Sequence, residues 1–179
     1  MIFKKTNFDG VFIITTQPKE DERGSFLRIY AKDEFGKNNI DFEIKHINRV
    51  FTLKKGTIRG IHMQRRPYEE AKLISCIQGS IFDVIIDLRK KSKTFGKLFS
   101  TILDSKNKKM LLMPKGFAHG YQTLEGKTII EYPTTEYYSS QGEIGIRWND
   151  PSFKIKWPLK NIIVSKKDTS WPDFKFFGK

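Results

Sequence analysis

The sequence predicts an all-β domain, a sandwich or barrel of short strands, and three observations carry that expectation. Apolar residues fall in short runs rich in Val, Ile, Phe and Tyr, and Gly- and Pro-bearing turns break those runs at regular spacing. No stretch alternates strands with long amphipathic helices, which excludes a doubly wound sheet. No period of about 20–50 residues repeats and no low-complexity linker divides the chain, so residues 1–179 read as one domain.

Taken in order, residues 11–15 are β-branched and aromatic and open the set. A turn at Asp21-Glu-Arg-Gly24 delivers the chain into a strand over 25–30, and 31–35 fit a single helical turn. Further strands are expected over 43–53, 56–63, 72–77, 80–88, 98–103, 109–113, 127–132 and 153–157. The segment after Asn161 is expected to be helical or irregular. Trp157-Pro158 and the aromatic run over 171–177 should pack onto the body, because large apolar side chains at a terminus seek cover. Antiparallel sheets also leave edges to be covered, which favours an oligomer.

Composition removes several function classes. The chain has 179 residues, 38% hydrophobic and 13% aromatic with 15 Phe, which is incompatible with a disordered basic tail. No run approaches the roughly 20 apolar residues of a membrane span. The N-terminus has a Lys4-Lys5 pair without a long apolar core behind it, so it does not read as a secretory signal. One cysteine, Cys76, cannot form an internal disulfide, and a reducing compartment, the cytoplasm, is expected. Lys and Arg number 33 against 20 Asp and Glu, a net charge of +13 that favours anionic partners. The charges are dispersed, however, with their densest run over 89–93 and smaller groups at 106–109, 154–160 and 166–167. No zinc-ligand spacing, basic amphipathic helix or stacking-aromatic pattern accompanies them, so they read as solvated surface and not as a nucleic-acid site.

The three histidines are His46, His62 and His119. His62 ends an apolar run and His119 lies in a Pro/Gly-rich turn entering a strand. A metal site on such a barrel needs a second ligand two residues after the first, on the same strand face. Position 64 is Gln and position 63 is Met, so the spacing argues against a metal and no metal is expected. Taken singly, each histidine reads as a packed structural residue. The chemical use open to a strand-end His is as a base, with a carboxylate fixing its tautomer.

Several motifs occur in order: Asp21-Glu-Arg-Gly24, Arg59-Gly-Ile-His62-Met-Gln64, Lys72-Leu, and Gly79-Ser-Ile-Phe-Asp-Val-Ile-Ile-Asp-Leu-Arg89. Ser92-Lys-Thr-Phe-Gly96, Pro114-Lys-Gly-Phe-Ala-His119-Gly, Trp148-Asn-Asp-Pro151 and Ser165-Lys-Lys-Asp168 follow. Together they resemble the dTDP-4-dehydrorhamnose 3,5-epimerase family from about residue 10 to about residue 175. The resemblance implies a cupin-like jelly-roll β-sandwich with short helical segments at the C-terminus, without a cofactor and usually homodimeric. The implied substrate is a nucleotide-diphospho-4-keto-6-deoxy sugar in the biosynthesis of a surface-polysaccharide deoxysugar. By similarity His62 is the base, Asp168 orients it, Tyr132 is the acid on the opposite sugar face, and Lys72 sits beside the enolate oxygen. Arg23 and Arg59 contact the diphosphate. Phe26, Asn48, His119, Tyr138 and Glu143 occupy positions resembling the sugar- and base-binding set, and Arg28, His46 and Gln64 are expected to bind substrate with them.

The residue types suit that chemistry. A proton α to a ketone is weakly acidic, so its removal needs a base and stabilisation of the enolate. A neutral His held by Asp can take it, a Lys can face the oxyanion, and a phenol can return a proton from the other face. Five positions depart from the family pattern. Arg28 stands where a Glu is common, His46 where Gln, Met63 where an aromatic, Val50 where Ser, and Pro133 where Lys. None removes a proton-transfer group; all bear on specificity. Inversion at C3, C5 or both stays open, as does a dTDP, GDP or CDP carrier, and a non-catalytic binding module is the rival reading.

Overall fold

Alternating inward apolar residues lay down two antiparallel sheets that pack face to face. The structure is a computed structural model and describes residues 1–175. Its strands are β1 (Ile2–Lys5), β2 (Phe12–Thr15), β3 (Lys19–Asp21), β4 (Gly24–Phe26), β5 (His46–Thr52), β6 (Thr57–Gln64) and β7 (Lys72–Gln78). β8 (Ser80–Asp87), β9 (Leu98–Asp104), β10 (Lys109–Met113), β11 (Phe117–Thr123), β12 (Thr128–Thr134), β13 (Glu143–Gly145) and β14 (Ile163–Val164) complete the set. Two short helices, α1 (Lys32–Lys37) and α2 (Lys166–Thr169), interrupt it.

The first sheet runs β1-β2-β10-β7-β12-β5 and the second β13-β6-β11-β8-β9, with β14 parallel to β6; β3 and β4 form a separate hairpin. This is the sandwich that the sequence predicts. Between the sheets, Ile74, Cys76, Leu111 and Ile130 of the first meet Ile81, Ile85, Leu103, Phe117 and Tyr121 of the second. Each fully buried aliphatic side chain there contributes about 1.5–3 kcal/mol of transfer free energy. Burial pushes the Cys76 thiol up to about 12, so it packs as an inert apolar group.

The expected strand over 153–157 is absent. Phe153 is buried beside Ile155 and Trp157 against the outer face of the second sheet, so the alternation is real. The backbone makes no ladder there, and Lys154 adopts a positive φ of 48° that breaks the extended run. The strand expected over 25–30 pairs only through Phe26. β11 is the strand expected to follow the turn at His119, but the sequence shows no bounds for it because all of its residues are buried, which erases the polar alternation a half-exposed strand shows. His119 lies within that strand, not in the turn before it. β1, β3, β13 and β14 are unannounced, being too short to show a period. Of the C-terminal aromatic run, Trp171 and Phe174 pack on the body, while Phe176 and Phe177 lie outside the described residues.

Candidate active site

Where the core thins at one end of the sandwich, polar side chains replace apolar ones on the same inward faces. β7 presents Lys72, then Ile74 and Cys76; β12 presents Tyr132 after Ile130; β11 presents His119 and Tyr121 after Phe117. The result is a cleft of about 420 Å³ lined by Arg59, His62, Lys72, His119, Tyr121, Tyr132 and Asp168, with Val50, Thr57, Ile58 and residues 163–165 completing its walls.

Arg59 and His62 are three apart, a spacing that sends side chains to opposite faces of a regular strand. A bulge resolves this: His62 is paired with His119 and Arg59 with Tyr121, so the two residues between Arg59 and His62 face a single residue of β11. The extra residue returns both side chains to the cleft. Gly60 carries the bend at φ +99°, and its N–H lies 3.5 Å from Asp168 Oδ2.

His62 Nε2 lies 2.5 Å from Asp168 Oδ1. Burial works against the Asp168 carboxylate, but the His62 hydrogen bond and charge, with Ser165 and the Gly60 N–H, hold it below the usual carboxylate range. An ionised Asp168 only accepts, so Nε2 is the donor, and in the neutral ring Nδ1 carries the lone pair that can act as a base. The Ser165 hydroxyl accepts from the Asp168 N–H at 3.0 Å, capping α2 and fixing the carboxylate's origin. Trp171 meets the His62 ring edge-on at 6.1 Å between centroids.

Across the cleft, Lys72 Nζ lies 5.8 Å from the centre of the Tyr132 ring and 3.0 Å from Glu70 Oε1. Burial first, and the Glu70 charge second, raise the Tyr132 phenol above its ordinary value, with Arg59 opposing. It therefore holds its proton at neutral pH. His119 Nε2 lies 2.9 Å from Asp83 Oδ2, and Asp83 Oδ1 is buried without a hydrogen-bond partner among the described residues. Burial pushes Tyr121 up to about 12.

The other candidates are distributed differently. Asn48 lies on the inward side of β5, opposite Tyr132 in register. His46 contacts the Thr134 hydroxyl and stacks on Tyr137 at 6.3 Å. Gln64 is buried, donating to the Tyr68 and Tyr137 carbonyls and accepting from the Ser139 N–H, so it anchors the loop that carries Tyr138. Tyr138 donates to Glu143 Oε2 at 2.8 Å, and Lys167 pairs with Glu143 Oε1 at 2.6 Å beside the cleft-facing helix α2. Arg23, Phe26 and Arg28 are not brought to this cleft. Arg23 is paired with Asp21 and its side chain is 82% exposed. The chain after the hairpin runs over the outer face of the first sheet, where Leu27 and Ile29 meet Ser75, Ile77 and Glu131.

Glu70, Asp83 and Lys167 escaped sequence reasoning. Signals for the first two were present: Glu70 stands two residues before Lys72, hence on the same strand face, and Asp83 is a carboxylate inside an apolar run. Among the described residues no three His, Cys, Asp or Glu side chains converge as a metal ion would require.

Residues 5–175 match the family model described as dTDP-4-dehydrorhamnose 3,5-epimerase. A curated epimerase of that name from Methanothermobacter thermautotrophicus is 37% identical over 172 residues, covering 94% of this chain and 92% of the relative. The crystal structure of the Bacillus anthracis enzyme, with TDP and pyrophosphate bound, superposes with a TM-score of 0.94 at 39% identity, covering 97% of this chain and 99% of that one. The Legionella pneumophila enzyme, in complex with dTDP-4-keto-L-rhamnose, gives a TM-score of 0.89 at 31% identity over 98% and 99% of the two chains.

Proposed function

The chain belongs to the dTDP-4-dehydrorhamnose 3,5-epimerase family of isomerases, and from that premise we propose that it inverts C3 and C5 of a dTDP-linked 4-keto-6-deoxy sugar by cofactor-free proton transfer. One observation carries the reading: His62 of the second sheet, held by Asp168 of α2, and Tyr132 of the first sheet project into one cleft. A sugar ring held between the sheets then has a base on one face and an acid on the other.

His62 Nδ1 removes the proton α to the ketone. Asp168 keeps the proton on Nε2 and stabilises the imidazolium that forms. The Lys72 ammonium faces the C4 oxygen as negative charge develops there. Tyr132 returns a proton from the opposite face, and inversion follows. Rotation of the intermediate presents the second carbon to the same pair of groups. Arg59, exposed at the cleft and bonded to the Thr52 hydroxyl at 3.2 Å, is free to meet the diphosphate. The enzyme serves deoxysugar synthesis for a surface polysaccharide such as O-antigen, in the cytoplasm, where nucleotide-activated sugars are made.

One domain carries this chemistry, and it works as a homodimer. Arg23 and Phe26 lie away from their own cleft, yet the family pattern gives them to the ligand. In a two-fold dimer each hairpin serves the cleft of the partner.

Proton exchange in heavy water tests the reaction. With dTDP-4-keto-6-deoxyglucose, wild type incorporates deuterium at both C3 and C5, and His62→Ala lowers the rate by about 10²–10⁴-fold. Tyr132→Phe loses inversion more than exchange. Label at one carbon alone makes the enzyme a single-centre epimerase, and exchange that survives His62→Ala removes the mechanism.

A further inference from the structure

Behind Lys72, one of the residues lining the cleft, stands a carboxylate that the reaction as described does not use. Ala71 is pinned to the chain just beyond β12, its N–H donating to Thr135 Oγ1 at 2.9 Å and its carbonyl accepting from the Thr135 N–H at 3.2 Å. This holds the backbone extended at the start of β7, so Glu70 and Lys72, on either side of Ala71, face the same way. Their side chains are each only 11% exposed, and Nζ meets Oε1 at 3.0 Å. The ammonium so seated lies 5.8 Å from the Tyr132 ring centre. A surface pair of this kind would matter little. Here the charges are sheltered, and a sheltered ammonium needs a counter-charge to sit beside an apolar ring.

We infer that Glu70 is a positioning residue for this site: it seats the Lys72 ammonium beside the Tyr132 ring and places a negative charge on that side of the acid. The inference rests on the assignment of Tyr132 as the acid. Other groups facing Tyr132 and Lys72 are Arg59 and His62 from β6, His119 and Tyr121 from β11, and Asp168 from α2. Of these Arg59 opposes Glu70 by favouring the phenolate, and Glu70 joins burial in holding the phenol neutral. The two charges thus bracket the acid from opposite sheets.

The test is the pair of pH profiles of Glu70→Gln, one catalytic and one spectroscopic. Against wild type, its kcat at neutral pH falls about tenfold because Lys72 loses its seat, its KM does not rise, and its alkaline limb moves down, leaving about tenfold less again at high pH. Independently of any substrate, tyrosinate absorbance of the free enzyme, assigned to Tyr132 by difference from Tyr132→Phe, shifts the same way. Glu70→Asp, which keeps the charge, returns both profiles towards wild type. Glu70→Ala replaces the amide if that variant misfolds. Coincident limbs and titrations in wild type and Glu70→Gln overturn the role of Glu70 and leave the epimerase reading standing. Unimpaired inversion by Tyr132→Phe removes Tyr132 as the acid and with it the catalytic limb of the inference.

Discussion

At position 60 the backbone leaves no room for a side chain. A Cβ there would stand 2.5 Å from the His119 carbonyl oxygen and 2.8 Å from Gly120 Cα, both backbone atoms of β11, and φ is +99°. Glycine alone tolerates both conditions. Gly60→Ala is therefore expected to cost about 3 kcal/mol, from strain plus the displaced strand, lowering Tm by calorimetry. Because Gly60 sets the bulge that aims Arg59 and His62, the surviving folded enzyme should also lose about 10²-fold in kcat. Retained activity with lowered stability would separate the bulge from the chemistry. At this scale the sequence was informative where a residue type is rare in its setting. His62, Lys72, Tyr132 and Asp168 were found through the motif set, and they do share a cleft. Spacing alone would have failed, because Arg59 and His62 share a face only through an irregularity that no periodicity displays. Asp168 is farther still from derivation, since 106 residues separate it from its partner.

Among the elements, the connection after β8 shows a motif with a structural use. Asp87 is fully buried and takes hydrogen bonds from the Arg89 N–H at 3.0 Å, Arg89 Nε at 2.9 Å, and the Ser92 and Thr94 hydroxyls at 2.6 Å each. Arg89 also caps the Asp9 carbonyl at 3.0 Å and lies over the Phe117 ring at 4.5 Å. Burial opposes the charge, but Arg89, Ser92 and Thr94 outweigh it and bring Asp87 down to about 2. The folded value lies below the unfolded 3.8, so the group stabilises the fold above about pH 4 and that stability is lost as pH falls towards 2. Asp87→Ala should cost about 3 kcal/mol at neutral pH by urea denaturation, because it strands Arg89. Its deficit should shrink steadily between about pH 4 and pH 2; a deficit constant with pH would place the effect in packing. Elements were legible in proportion to their length and one-sided burial. β5, with inward residues alternating against outward ones, matched expectation within a few residues, whereas fully buried β11 gave no alternation to read. The 153–157 run misled for the converse reason, since a loop hugging a sheet can alternate without pairing.

For the whole molecule, the charge of +13 resolves into a few cations with a place near the ligand, chiefly Arg59 and Lys72 in the cleft, and a majority on open surface. That surface field speeds capture of an anionic ligand at low salt and little else. Apolar exposure is less evenly spread. β5 is the edge of the first sheet, and its outward residues Ile47 and Phe51, with Leu53 just beyond it, are 56%, 55% and 60% exposed. An edge of this kind needs cover, and a second copy of the chain would supply it. Two consequences can be measured. If the chain forms the homodimer proposed above through this edge, Phe51→Asp should leave it monomeric by light scattering. Subunit complementation is sharper: Arg23→Ala and His62→Ala chains, each impaired alone, are mixed by co-expression. If the hairpin serves the partner, each heterodimer joins an intact His62 cleft to an intact hairpin, and random mixing restores about a quarter of wild-type sites. If the hairpin serves its own cleft, every site in the mixture carries one lesion and nothing is restored. A monomeric wild type, or mixtures no more active than their components, would leave Arg23 and Phe26 without a part in this site.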